Sequence, residues 1–188
     1  MSPHRTSPVM TCAPAGPASC TAGVRKGRRA RGLAVMLRYL LDTSIVSSPM
    51  SKTPNPRIVK RLDEHGHECA IAAPVWHELT YGCRRLSSGK RRAALEAYLH
   101  DVVQASFPIL PYDTVAATWH GGERARLERL GQPAPYTHGQ IAAIAHAHAL
   151  VLVTVNVKDF TRFKGLDVAN WSKGHAKPAP TAGVNERS

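Results

Sequence analysis

Little in this chain can cross-link. Its 188 residues include four cysteines, at 12, 20, 69 and 83, too few and too scattered for a disulfide framework. No two stand in CxxC spacing, which argues against a structural zinc site. A zinc set drawn from His65, His67, Cys69, His77 and Cys83 fits no usual ligand spacing either. Cys69, inside an apolar run, reads more simply as a small core residue. No apolar stretch approaches the roughly 18 residues a membrane-spanning helix needs; an integral membrane protein is excluded and a cytoplasmic location is expected. No GxGxxG follows a strand and no GxxxxGKS/T occurs, so nucleotide- and cofactor-dependent α/β enzymes have little support. Acids are scarce: 13 Asp and Glu stand against 25 Lys and Arg, a net charge of +12.

What is present suits one ordinary domain. Hydrophobic residues make up 43% and charged residues 20%, enough to bury a core. The basicity is uneven. Residues 1–35 hold six Arg and Lys and no acid, and their Pro, Ala, Gly, Ser and Thr show no hydrophobic periodicity. Such a segment buries too little apolar surface to offset its ordering entropy. Three readings stand: a basic arm that attracts phosphate, an Arg-rich transit peptide, or translated upstream sequence with the natural start at Met36. The third is favoured, because Met36 directly precedes the first good strand. Residues 36–173 form the expected domain, and residues 174–188 a low-complexity tail.

Within that domain short apolar runs alternate with helical stretches. Strands are expected over residues 37–41, 67–72, 107–110, 151–154 and, briefly, 166–169. Helices are expected over residues 57–64, opened by Pro56, and from Ala73-Pro74 to about Leu86. Ser87-Ser88-Gly89 then breaks the chain before a helix over residues 91–103. Asp113 or Thr114 caps a long helix ending near Leu130-Gly131. Residues 132–137 read as a Pro-containing loop, and the Ala-rich residues 139–150 as a helix. This alternation implies a parallel, doubly wound α/β sheet of four or five strands.

Ligands of such sheets lie outside the carboxyl ends of the strands. Asp42 stands just after the first strand, Glu78 on the helix after the second, and Asn156 and Asp159 just after the fourth. Val75, Leu79, Gly82 and Leu86 form an apolar stripe at helical spacing, and Glu78 falls on it. An inward charge is costly unless paired or metal-bound. The plainer readings are a first-turn acid for Glu78, a helix cap for Asp42 and a solvated loop acid for Asp159. Carboxylates without a His/Cys array suit a hard divalent cation such as Mg²⁺ or Mn²⁺, which supports phosphodiester hydrolysis. Two basic groups, Arg84, Arg85, Lys90, Arg91 and Arg92 on one side and Arg124, Arg126 and Arg129 on the other, either hold a polyanion or form solvated faces.

Four segments resemble a known family. Leu40-Leu41-Asp42-Thr43-Ser44 is similar to its opening LLDT motif. Val75-Trp76-His77-Glu78-Leu79-Thr80-Tyr81-Gly82 resembles the second motif, Gly139-Gln140-Ile141-Ala142-Ala143-Ile144-Ala145 the third, and Val153-Thr154-Val155-Asn156-Val157-Lys158-Asp159-Phe160 the fourth. The chain is thereby identified as similar to PIN-domain proteins, specifically VapC-type toxins of toxin–antitoxin pairs, over about residues 36–171. The resemblance implies a PIN-like α/β/α sandwich and a Mg²⁺- or Mn²⁺-dependent endoribonuclease acting on tRNA or rRNA. It also implies an antitoxin partner and a homodimer. Asp42, Glu78 and Asp159 would be catalytic, metal-coordinating acids, and Ser44, Thr154 and Asn156 their polar supports. One position departs seriously, and Val155, where the family often has Arg or another polar residue, departs in a smaller way. The family carries an Asp just before the GQIAAIA-like helix, and here that residue is His138, which lacks a formal negative charge when neutral. Either weaker Mg²⁺ binding with a shift toward Mn²⁺, or a catalytically impaired protein that binds antitoxin or RNA without turnover, would follow. His146 and His148 are expected to be ordinary helix residues.

Overall fold

The computed structural model describes residues 36–173; the expected basic extension over 1–35, with its proposed start at Met36, and the tail over 174–188 lie outside the described residues. Five strands, β1 (Tyr39–Leu41), β2 (Cys69–Ala72), β3 (Ile109–Leu110), β4 (Val151–Val153) and β5 (Val168–Ala169), form one parallel sheet in the order β3-β2-β1-β4-β5. The helices are α1 (Thr43–Val46), α2 (Pro56–His65), α3 (Ala73–Arg84), α4 (Lys90–Ala97), α5 (Thr114–Arg129), α6 (Tyr136–Ala147) and α7 (Val157–Phe160). Between β1 and β4 the strand order reverses, which opens the crevice where doubly wound sheets bind ligands.

The central strands are short and apolar. Leu40, Leu41, Ile71, Leu152 and Val153 are fully buried, as parallel strands covered on both faces require. Pro56 opens α2 at its first turn, and Asn55 caps it by accepting from the Arg57 N–H at 3.0 Å. Asp113 caps α5 through the Ala116 N–H at 3.0 Å.

The expected elements all occur, with shifted edges. The helix expected over 91–103 is α4 continued by a π-helical stretch, Tyr98–Gln104. Helix α6 starts at Tyr136, inside the expected loop. Pro135 immediately precedes it and pre-sets the entry. The buried line of α3 is Val75, Leu79 and Cys83 rather than one running through Gly82. Gly82 is exposed and Glu78 half-buried, so Glu78 sits at the margin of the stripe.

A buried ion pair ties α5 to the segment after α7. Glu123, 8% exposed, accepts from both Arg126 Nε and Nη2 and from the Lys164 backbone N–H at 2.7 Å. Arg126 Nη2 also donates to the Arg162 carbonyl at 2.7 Å. The Arg126 hydrogen bonds, joined by the one from Lys164, hold the Glu123 carboxyl below the usual range against the opposing effect of burial. A lowered folded value means that this stabilisation is complete above the unfolded carboxyl value of about 4.3 and fades as pH falls through the folded value. Glu123→Gln is therefore expected to be less stable than the parent at pH 7. In urea unfolding, the difference is expected to shrink as pH drops below about 4; a pH-independent difference would show that the charge is not what matters.

Candidate active site at the carboxyl edge of the sheet

Asp42 ends β1 and serves as the N-cap residue of α1, 7% exposed. Its side chain makes no capping bond. Instead Oδ2 accepts from Ser44 Oγ at 2.8 Å and from Thr154 Oγ1 at 2.8 Å. Thr154 follows β4 and is fully buried, so this second bond bridges the crevice at the reversal point. Asp42 Oδ1 makes no hydrogen bond among the described residues. The simple helix-cap reading of Asp42 is thus set aside: the carboxylate is held by two hydroxyls with one oxygen left over.

The supports are themselves held. Thr154 Oγ1 accepts from the Asn156 N–H at 3.0 Å, and Ser44 Oγ from the Val155 N–H at 3.3 Å. Asn156 therefore acts through its backbone, and its side chain is exposed. Glu78 reaches the same rim from α3, where its Oε2 accepts from Thr43 Oγ1, the residue beside Asp42. Thr43 is a link that sequence reasoning passed over; its position between Asp42 and Ser44 was the available signal.

Asp159 lies in the first turn of α7, half-buried, with its N–H bonded to the Asn156 carbonyl at 3.0 Å. Its neighbour Phe160 is buried and packs against the His138 ring, centroids 5.0 Å apart. His138 stands in the first turn of α6, and its Nδ1 is buried with no hydrogen-bond partner among the described residues. The topology thus places Asp42, Glu78, Asp159 and His138 at the ends of elements that open on one edge. It does not draw three of them into a ready-made cage: among the described residues, no group of three His, Cys, Asp or Glu could hold a metal ion. The three acids therefore stand on one edge of the sheet without forming a closed ligand set among the described residues. Glu78 is engaged by Thr43, and Asp159 is carried on a separate four-residue helix.

The donors still fit a hard cation. A free carboxylate oxygen on Asp42 and the Glu78 carboxylate, held by the hydroxyl of the adjacent Thr43, are oxygen ligands of the kind that Mg²⁺ takes while keeping several waters. A zinc site is not supported. Burial, with a smaller contribution from Glu68, pushes the Cys69 thiol up to about 12, and its Sγ donates to the His65 carbonyl at 3.1 Å. His146 stacks on Trp119 at 4.5 Å as an exposed residue of α6, and His148, expected within the helix, is the exposed residue just after its end.

Behind the site, α5 and α6 meet at Gly139. His120, 4% exposed, lies against it and is hydrogen-bonded to Tyr112 Oη at 2.9 Å. Burial first, then the charge of Arg124, lowers the His120 pKa, so the ring is neutral at pH 7.

Residues 39–166 match the PIN domain family. The tRNA(fMet)-specific endonuclease VapC of Shigella flexneri is 30% identical over 138 residues, covering 73% of this chain and all of that one. Toxin FitB of Neisseria gonorrhoeae is 32% identical over 139 residues, 72% of this chain and 98% of that one. Among solved structures, FitAcB from Neisseria gonorrhoeae superposes with TM-score 0.66 at 29% identity, covering 71% of this chain and 97% of that one. DNA-bound VapBC from Salmonella typhimurium gives TM-score 0.63 at 29% identity, with 72% and 99% covered.

Proposed function

Because the chain belongs to the PIN-domain family, we propose that it is a divalent-metal-dependent endoribonuclease, the toxin of a toxin–antitoxin pair. The observation that carries this reading is Asp42, bridged across the crevice to Thr154 with one carboxylate oxygen left unpaired. The antitoxin partner is proposed from likeness to VapBC and FitAcB structures, and a homodimer is proposed with it. RNA is the substrate class, and the cytoplasm is where such a substrate is met. No helix among the described residues is long and apolar enough to cross a membrane.

Asp42 and Glu78 would hold Mg²⁺ or Mn²⁺, with Asp159 as a third carboxylate reached from α7. When bound, the ion would neutralise charge on the scissile phosphate and lower the pKa of water. The chain's own residues do the rest. Ser44 and Thr154 fix Asp42 Oδ2 and so decide where Oδ1 points. A carboxylate of the rim takes the proton of the water that adds in line to phosphorus as the P–O bond to the leaving oxygen breaks. Basic side chains beside the rim hold the polyanion and offset developing charge.

Full-length protein is expected to cut labelled RNA with Mg²⁺ or Mn²⁺ and to lose that activity in EDTA. His138→Asp adds a carboxylate where the imidazole Nδ1 now lies unpartnered. That variant is expected to bind Mg²⁺ about ten-fold more tightly by calorimetry, the lower end of what neighbouring ligand changes do, and to cut faster. Cleavage by the variant alone would make the natural protein a binding module. Absence of cleavage from both, with every divalent ion, would overturn the nuclease reading.

A further inference from the structure

We infer that the outward face of α3 is a stacking platform for single-stranded RNA. This rests on the nuclease reading and adds where the strand lies. His77, Tyr81 and Arg85 recur at four-residue intervals and so share one helix face. The His77 and Tyr81 rings are parallel to within 4°, with centroids 6.0 Å apart. The Arg85 guanidinium lies 5.6 Å from the Tyr81 ring centroid. Tyr81 is 57% exposed and belongs to no part of the core. Three flat groups thus stand in a row on the solvent side of the helix that carries Glu78, one turn beyond it.

Charge selects the occupant. Residues 81–95 carry five basic residues and no acid. Arg84, Arg85, Lys90 and Arg91 make no ion pair among the described residues, and Arg92 pairs with Glu96 at 2.9 Å. The second basic helix is used differently. There Arg124 pairs with Glu128 and lies 5.5 Å from the Tyr136 ring centroid, Arg126 is spent on Glu123, and only Arg129 of that group lacks an ion pair among the described residues. Unpaired positive charge therefore gathers beside the α3 ladder. Flat π-faces with free cations are what hold unpaired bases and their phosphates. A duplex buries its base faces in its own stack and cannot use the ladder. An apolar peptide would strip water from Arg84 and Arg85 without giving them partners. A strand stacked on Tyr81 runs one helical turn from Glu78, so its backbone is delivered to the carboxylate rim.

The test is fluorescence anisotropy with a short, unstructured, fluorescein-labelled RNA and the full-length chain in EDTA, which prevents cutting. Tyr81→Ala is expected to weaken binding about ten-fold, with Tyr81→Phe close to the parent, since stacking needs the ring and not the hydroxyl. Arg85→Ala is expected to lower the slope of log affinity against log salt by about one phosphate contact. In cleavage assays with Mn²⁺ the Tyr81→Ala loss falls chiefly on KM. Unchanged RNA affinity in Tyr81→Ala, or no RNA binding by the parent chain, overturns the platform. A Tyr81→Ala protein whose mass in sedimentation differs from the parent also overturns it, making this face an interface between copies. A parent that cuts RNA while Tyr81→Ala binds normally keeps the nuclease and loses the platform. A parent that binds through Tyr81 but fails to cut RNA with every divalent ion tried keeps the platform and loses the nuclease.

Discussion

An Asp42→Asn protein is expected to fold and to lose RNA cleavage by more than about a hundredfold. Residues that only orient a metal ligand cost roughly 10- to 100-fold when removed, and Asp42 is the oriented group itself. Asparagine keeps the shape and an oxygen that can accept from Ser44 and Thr154, so the two 2.8 Å bonds across the crevice have an acceptor in the variant. What disappears is the negative charge at a site 7% exposed, where the low dielectric makes that charge count most toward a cation. Thermal unfolding is accordingly expected to shift little while single-turnover cleavage collapses. Cleavage within a few-fold of the parent, at saturating Mn²⁺, would remove Asp42 from the chemistry and with it the case for this edge as the active site.

Gly139→Ala is expected to be the most damaging small substitution in the domain. A methyl group there would lie 2.7 Å from His120 Cδ2 and 2.8 Å from Cε1, and nearer still to Nε2. His120 cannot simply swing away, because it is buried and hydrogen-bonded to Tyr112, and its ring packs against Tyr136 with centroids 5.1 Å apart. Overpacking of this kind costs about 1–3 kcal/mol and occasionally more, which lowers Tm by roughly 2–12 °C in a domain of this size. The loss should also reach the active site, since His138 precedes Gly139 and rests on Phe160, next to Asp159. Pairing the change with His120→Ala makes room for the methyl, and the double variant is expected to lose less stability than the two single losses added together. Simple addition would place the damage elsewhere.

Much of the fold was legible because its signals are local. The run Leu40-Leu41 before Asp42, the run at 151–154 and Pro56 at a helix start each announce themselves within a few residues. The site was legible only as a set of positions after strands. Its joints were not, because they are long-range: Thr43 to Glu78 spans 35 residues and Thr154 to Asp42 spans 112, and no periodicity records such pairings. The start of α6 was misplaced because Thr137 and His138 are weak helix formers, and packing against Phe160 and α5 overrides propensity there. Glu123 read as one more charge on a polar helix; its burial is decided by the backbone of Lys164, 41 residues on. The exposed ladder on α3 was hidden for a related reason, since Tyr81 lies within the motif that drew notice to Glu78.

The place of β1 at the middle of the sheet has a consequence for how the protein comes into being. This strand leaves the ribosome first, yet one of its two neighbours, β4, is made near the end. At about 5–20 residues per second, the 112 residues between Asp42 and Thr154 take roughly 6–22 s to synthesise. Throughout that interval the nascent chain lacks β4 and one of the two hydroxyls that hold its central acid. The pocket around Asp42 is thus completed only in the last stage of synthesis, whatever order the other elements follow.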